Sequence, residues 1–94
     1  MDRYDGVIEE KLGAIIVDGQ RCEIWVRSAP DEDGTWHNAL LFKRDGRVGS
    51  REVLMTGVAW HVPPGLALDR ARELDETEQL ALFERALRPR PPVL

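Results

Sequence analysis

The sequence predicts a small α+β domain: a four-stranded antiparallel β-meander with a C-terminal amphipathic helix packed on one face. Three observations carry this expectation. First, Asp18-Gly19 and Asp45-Gly46 each separate apolar runs. An Asp-Gly pair in that position is a strong hairpin signal, because both residues tolerate positive φ. Second, the segments 20–28 and 35–43 alternate between two sides with a period of two, as half-buried strands do. Third, the chain beyond Pro63-Pro64-Gly65 carries Leu80, Phe83 and Leu87, with Leu74 and Ala86, at the spacing of one helix face.

Residues 1–6 are polar and are expected to be loose, with the sheet spanning 7–61. The chain turns apolar at Val7. Ile15, Ile16 and Val17 form a β-branched run that favours a strand, and Gly6 and Gly13 weaken any helix. A two-residue turn at Asp18-Gly19 pairs Val17 with Gln20 and Ile15 with Cys22. In the second strand Cys22, Ile24 and Val26 form the core face. Glu23, Trp25 and Arg27 form the other. Pro30 has no N–H to donate and helps end the strand, and the acidic stretch to Gly34 makes the turn.

The third strand has Trp36, Asn38, Leu40 and Phe42 on one side and His37, Ala39, Leu41 and Lys43 on the other. Both sides hold apolar residues, which places this strand centrally and partly covered on both faces. The fourth strand is expected over Arg51–His61, with Gly57 as a bulge or close-approach point and Gly49-Ser50 as an early break in pairing. Pro63-Pro64-Gly65 stops the sheet, and a helical region follows over 66–88. Leu66–Glu73 fits a short helix. Asp75 with Glu78 fits an N-cap and capping box, acids in the first turn suit the helix dipole, and Pro89 ends the helix. Residues 89–94 read as a Pro-rich extended tail.

Bulk properties narrow the function classes. A chain of 94 residues corresponds to one domain and buries on the order of 60–65% of its unfolded surface. No apolar run approaches the ~18 residues of a membrane span. The N-terminus has no apolar signal core. The single cysteine, Cys22, excludes an internal disulfide, so a cytoplasmic location is expected. Only Lys11 and Lys43 among 13 basic residues are lysine. This arginine bias, with the small size, points to a bacterial source.

The Trp-His dipeptide occurs twice, at Trp36-His37 and Trp60-His61, and holds both histidines. Strand alternation sends the residues of each pair to opposite faces. Trp36 and Trp60 are therefore expected as anchors of the sheet–helix core, with His37 and His61 opposite, where two imidazoles could confer pH sensitivity near ~6.5. Cys22, His37 and His61 lack the close spacing of a zinc site, and no nucleophile motif is present. No metal, cofactor or catalytic residue is assigned.

The expected function is a small protein-interaction or regulatory module without catalytic activity. Its partner is another protein or a second copy of the chain, with no membrane involved. Tryptophan and arginine dominate interface energetics, so the candidate surface is Trp25, Arg27 and His37, with Trp36 as the alternative if the faces are inverted. The alternative function is nucleic-acid binding through Lys43, Arg44, Arg47 and Arg51, which cluster within one hairpin. The net charge of −4 argues against it, since dedicated nucleic-acid binders carry a basic excess.

Overall fold

The structure, a computed structural model, describes residues 6–46 and 50–88. The chain forms β1 (Ile8–Val17), β2 (Gln20–Pro30), β3 (Trp36–Asp45) and β4 (Arg51–Val58), then α1 (Pro64–Arg72) and α2 (Glu76–Leu87). The strands make one antiparallel sheet in the order β1-β2-β3-β4. This is the predicted meander, closed on one face by two helices rather than one. Among the described residues no helix is long and apolar enough to cross a membrane.

The first hairpin shows how a local turn sets a global face. Asp18 and Gly19 have φ of 52° and 78°, the left-handed pair that a two-residue turn requires. Val17 consequently pairs with Gln20 and Ile15 with Cys22, as expected from the turn. Farther from the turn, one extra residue, Leu12, shifts the register between Lys11 and Gly13. This bulge lets Ile15 face the core while Glu9 and Lys11, on the far side of the bulge, still share the outer face with Ile16. The β2–β3 connection is a turn closed by Gly34, at φ 88°. There Gly34 N–H donates to Asp31 O at 3.1 Å and Asp31 N–H to Thr35 O at 2.7 Å.

The core lies between the sheet and the helices. Cys22, Ile24, Val26, Leu40 and Phe42 point into it, and α1 adds Ala67, Leu68 and Ala71 over β1–β3. From α2, which packs against β4, comes Phe83. Its ring meets Phe42 edge-on with centroids 5.3 Å apart, a favoured aromatic geometry. Each such buried side chain stabilises by roughly 1.5–3 kcal/mol. The α2 cap is the predicted one: Glu78 N–H donates to Asp75 Oδ1 at 2.8 Å, and Asp75 N–H donates to Glu78 Oε1 at 3.0 Å.

Five expectations need correction. Asp45 pairs with Arg51 and the Gly46 N–H donates to Ser50 O, with no positive φ at Gly46, so Asp45-Gly46 extends the ladder and does not form the second turn. β4 ends at Val58 instead of His61, so Trp60 and His61 lie in the crossover to α1. The reason is Asn38: its amide donates to the carbonyls of Trp60 at 2.5 Å and Val62 at 3.0 Å, while its Oδ1 accepts from Ser28 Oγ at 2.6 Å. These bonds fold the chain back over the core face, and ladder pairing stops. Gly57 makes no bulge; it pairs regularly with Ala39, and a Cβ added there would meet nothing within 4 Å. α1 starts at Pro64, inside the expected stop signal, because proline at the first helical position gives up an N–H that has no partner in any case. Leu87, assigned to the buried stripe, is 44% exposed. The expected break at Gly49 and the tail over 89–94 lie outside the described residues.

Candidate functional site

The helices cover one face of the sheet. No described element covers the other. In-register pairing arranges this open face as rows across all four strands. Lys11, Trp25, Leu41 and Met55 make the central row. Ala14, Glu23, Lys43 and Val53 flank it on one side, and Glu9, Arg27, Ala39 and Gly57 on the other. In these rows Glu9, Lys11, Glu23 and Arg27 charge β1 and β2, while β3 and β4 bring Ala39, Leu41, Val53, Met55 and Gly57 with Lys43 as the one charge among them.

Glu23 organises the charged half. Its Oε1 accepts from the Trp25 indole N–H at 3.1 Å and from Arg51 at 2.7 Å. Its Oε2 accepts from Arg21 at 3.2 Å and Lys11 at 3.4 Å. The Trp25 bond, followed by the Arg21 bond and the Lys11 and Arg51 charges, lowers its pKa to about 2. Glu9 plays a smaller part, meeting Arg27 at 3.5 Å and Lys43 at 3.4 Å. Trp25 is thus half-buried and engaged on two sides: Lys43 Nζ sits 4.0 Å from its ring centroid while Glu23 holds its N–H.

The candidate interaction residues are divided by the structure. Trp25, Arg27 and His37 share the open face, whereas Trp36 lies on the helix-covered face at the start of β3. The face assignment is not inverted. Trp25 has little free indole to offer, and Arg27 is in an ion pair. The exposed apolar side chains of this face are instead Val53 at 53% and Met55 at 55%, adjacent on β4, and Ile16 at 65%, alone at the far edge on β1. Beside the β4 pair, Ala39, Gly57, Met55, Arg27 and His37 line a shallow depression. Sequence reading missed Val53 and Met55 because single exposed aliphatic residues carry no signal of their own. Glu23 was placed on the right face, but its role depends on Arg21 and Arg51 arriving from other positions.

The two histidines meet at the start of β3. Their rings are 5.5 Å apart, edge to face. His61 Nδ1 donates to Trp36 O at 3.1 Å and His37 Nε2 to Asp31 at 3.0 Å. The His37 bond, then the Glu32 backbone N–H, hold the Asp31 carboxyl below its ordinary range. The two histidines come together, as expected, but strand alternation is not the cause for His61, which the crossover after β4 places. Trp60 packs against the core and Trp36 is half-buried. Cys22 is buried, which pushes its thiol pKa up and makes it a poor nucleophile. Among the described residues no three His, Cys, Asp or Glu side chains converge as a metal-binding group.

The basic hairpin is also divided. Lys43 and Arg51 project from the open face, while Arg44 projects from the opposite one, 5.4 Å from the Phe83 ring and bonded to Glu52 at 2.5 Å. All three cations already hold a carboxylate. Arg47 lies outside the described residues. Comparison of the chain with protein-family models, curated proteins and solved structures gives no match.

Proposed function

We propose that the protein is a small interaction module that binds another protein chain through the β3–β4 half of its open sheet face and has no catalytic activity of its own. The observation that carries this is the pair Val53 and Met55, both more than half exposed, adjoining Leu41 on a face that no helix covers. A one-sided sheet that is polar throughout needs no partner; here Leu41, Val53 and Met55 form an apolar cluster between Lys43, Arg51, Arg27 and His37, and an apolar patch rimmed by charge marks a contact surface. Glu23 and Trp25 beside it are held by Lys43, Arg51, Arg21 and Lys11, so the patch is presented on a firm support.

The nucleic-acid alternative has less support. Lys43, Arg44 and Arg51 sit on opposite faces, and phosphate would have to compete with Glu9, Glu52 and Glu23. A gel shift with single-stranded RNA that strengthens as salt falls would favour it.

A photo-crosslinking side chain at position 55, compared with the same group at Glu84 on α2, tests the main reading in extracts of the source cells. Discrete adducts at position 55, absent at 84 and competed away by unlabelled protein, are expected. Equal labelling at both positions, or none at 55, would overturn it.

A further inference from the structure

Resting on that reading, we infer that the partner is a second copy of the chain, joined antiparallel through β4 about a two-fold axis at Leu54. The product is one continuous sheet of eight strands, four from each copy.

The phase of the β3–β4 ladder shows which backbone groups are on offer. Gly46 N–H donates to Ser50 O at 2.8 Å, so the hydrogen-bonded pairs of this ladder fall on alternate residues from there: Glu52, Leu54 and Thr56 point their backbone groups to β3. Arg51, Val53, Met55 and Gly57 point theirs away. An independent contact agrees, since Gly57 O accepts from Arg85 of α2 at 2.8 Å. Arg85 therefore closes the Gly57 end, and Val53 and Met55 form the open stretch. No described strand lies beyond β4.

The two edges of the sheet are built differently. β1 exposes Ile16, but it carries Glu9, Glu10 and Lys11 and is broken by the Leu12 bulge, devices that discourage a further strand. β4 runs in unbroken register, contains no proline, and exposes Val53 and Met55 beside its free backbone groups.

Symmetry and charge choose the register. In a two-fold antiparallel pair, outward-pointing residues must face outward-pointing residues, so the axis falls on a residue. Centred on Glu52, it sets Glu52 against its own copy. Centred on Val53, it sets Arg51 against Met55 and Glu52 against Leu54. Centred on Met55, it draws pairing onto Gly57, whose carbonyl Arg85 occupies. Centred on Leu54, it sets Val53 against the partner's Met55 and the reverse, with Glu52 against the partner's Thr56. Val53 and Met55 then flank their counterparts across the seam, no like charges oppose each other, and pairing reaches Gly57 only at the ends of the seam, opposite Arg51.

Sedimentation equilibrium of the full chain is expected to show a species of twice the 10.7 kDa chain mass that gains population with concentration. Val53→Pro removes an outward N–H that the β3 ladder does not use. It is expected to leave the circular dichroism and melting of the monomer intact and to abolish the dimer. Separately oxidised Val53→Cys and Met55→Cys chains should each crosslink poorly, and their mixture should form a disulfide-linked heterodimer several-fold faster. A wild-type chain that stays monomeric throughout overturns the inference. So does a dimer that survives Val53→Pro, or a mixture no faster than its components. A monomer that still crosslinks another protein at position 55 would remove the homodimer and leave the proposed function standing.

Discussion

Leu41 and Phe42 are consecutive in β3, and both are buried, at 4% and 0% exposure, but by different means. Phe42 lies under a layer of helices and meets Phe83. Leu41 lies on the open face with no helix over it, between Trp25 and Met55 in its row. One face is closed by secondary structure and the other by side chains of its own sheet. The first kind of closure is cooperative with folding. The second depends on side chains such as Lys43, whose ammonium lies over the Trp25 ring and meets Glu9, and it leaves Val53 and Met55 uncovered. The open face is consequently the one with surface left to bind.

The largest test of this contrast is Phe83→Ala. It removes the contact between the helices and Phe42 and should cost ~3–5 kcal/mol in chemical denaturation. An unchanged midpoint would break the account of the closed face. Leu41→Ala should cost less, about 2 kcal/mol, at the low end for buried leucines, because neighbouring open-face side chains can settle into the space. Equal losses for Leu41 and Phe83 would erase the difference between the faces. Asn38→Ala leaves the Trp60 and Val62 carbonyls and the Ser28 hydroxyl short of a partner and should cost about 1–3 kcal/mol. Faster amide exchange in the 59–63 crossover would accompany it.

Glu23→Gln probes the charged half through pH. The Glu23 pKa is depressed to about 2 from an ordinary 4.5, first by the Trp25 hydrogen bond. Its contribution is therefore fully present above about pH 4.5 and is lost as the pH falls towards 2. The variant should show a shallower loss of stability across that window. Some slope should remain, because Asp31 and Asp33 are also held low, by His37 and Thr35 respectively. The smallest effect belongs to Met55→Lys, which should change monomer stability by no more than ~0.5 kcal/mol while weakening association. A large loss of monomer stability would mean that Met55 belongs to the core and not to a contact surface.

The legible parts of the fold share a cause. The Asp18-Gly19 turn, the alternation of Cys22, Ile24 and Val26 against Glu23, Trp25 and Arg27, and the Asp75–Glu78 capping box each depend on residues a few positions apart. The candidate site was legible only as a face. Trp25 was identified by residue type, yet the partners that cover it, Glu23 and Lys43, reach it through two different contacts. Val53 and Met55 acquire meaning only from being on the last strand of the sheet.

The sequence by itself determined the number of strands, the pairing next to the Asp18-Gly19 turn and which side chains of β2 and β3 share a face, because backbone sterics and periodicity act locally. Only the tertiary structure decided that Asn38 ends β4 by capturing the crossover, that Glu23 gathers four donors, and that β4, unlike β1, presents an unblocked edge. Those outcomes require groups distant in the chain to arrive at hydrogen-bonding distance, and only the assembled sheet fixes that distance.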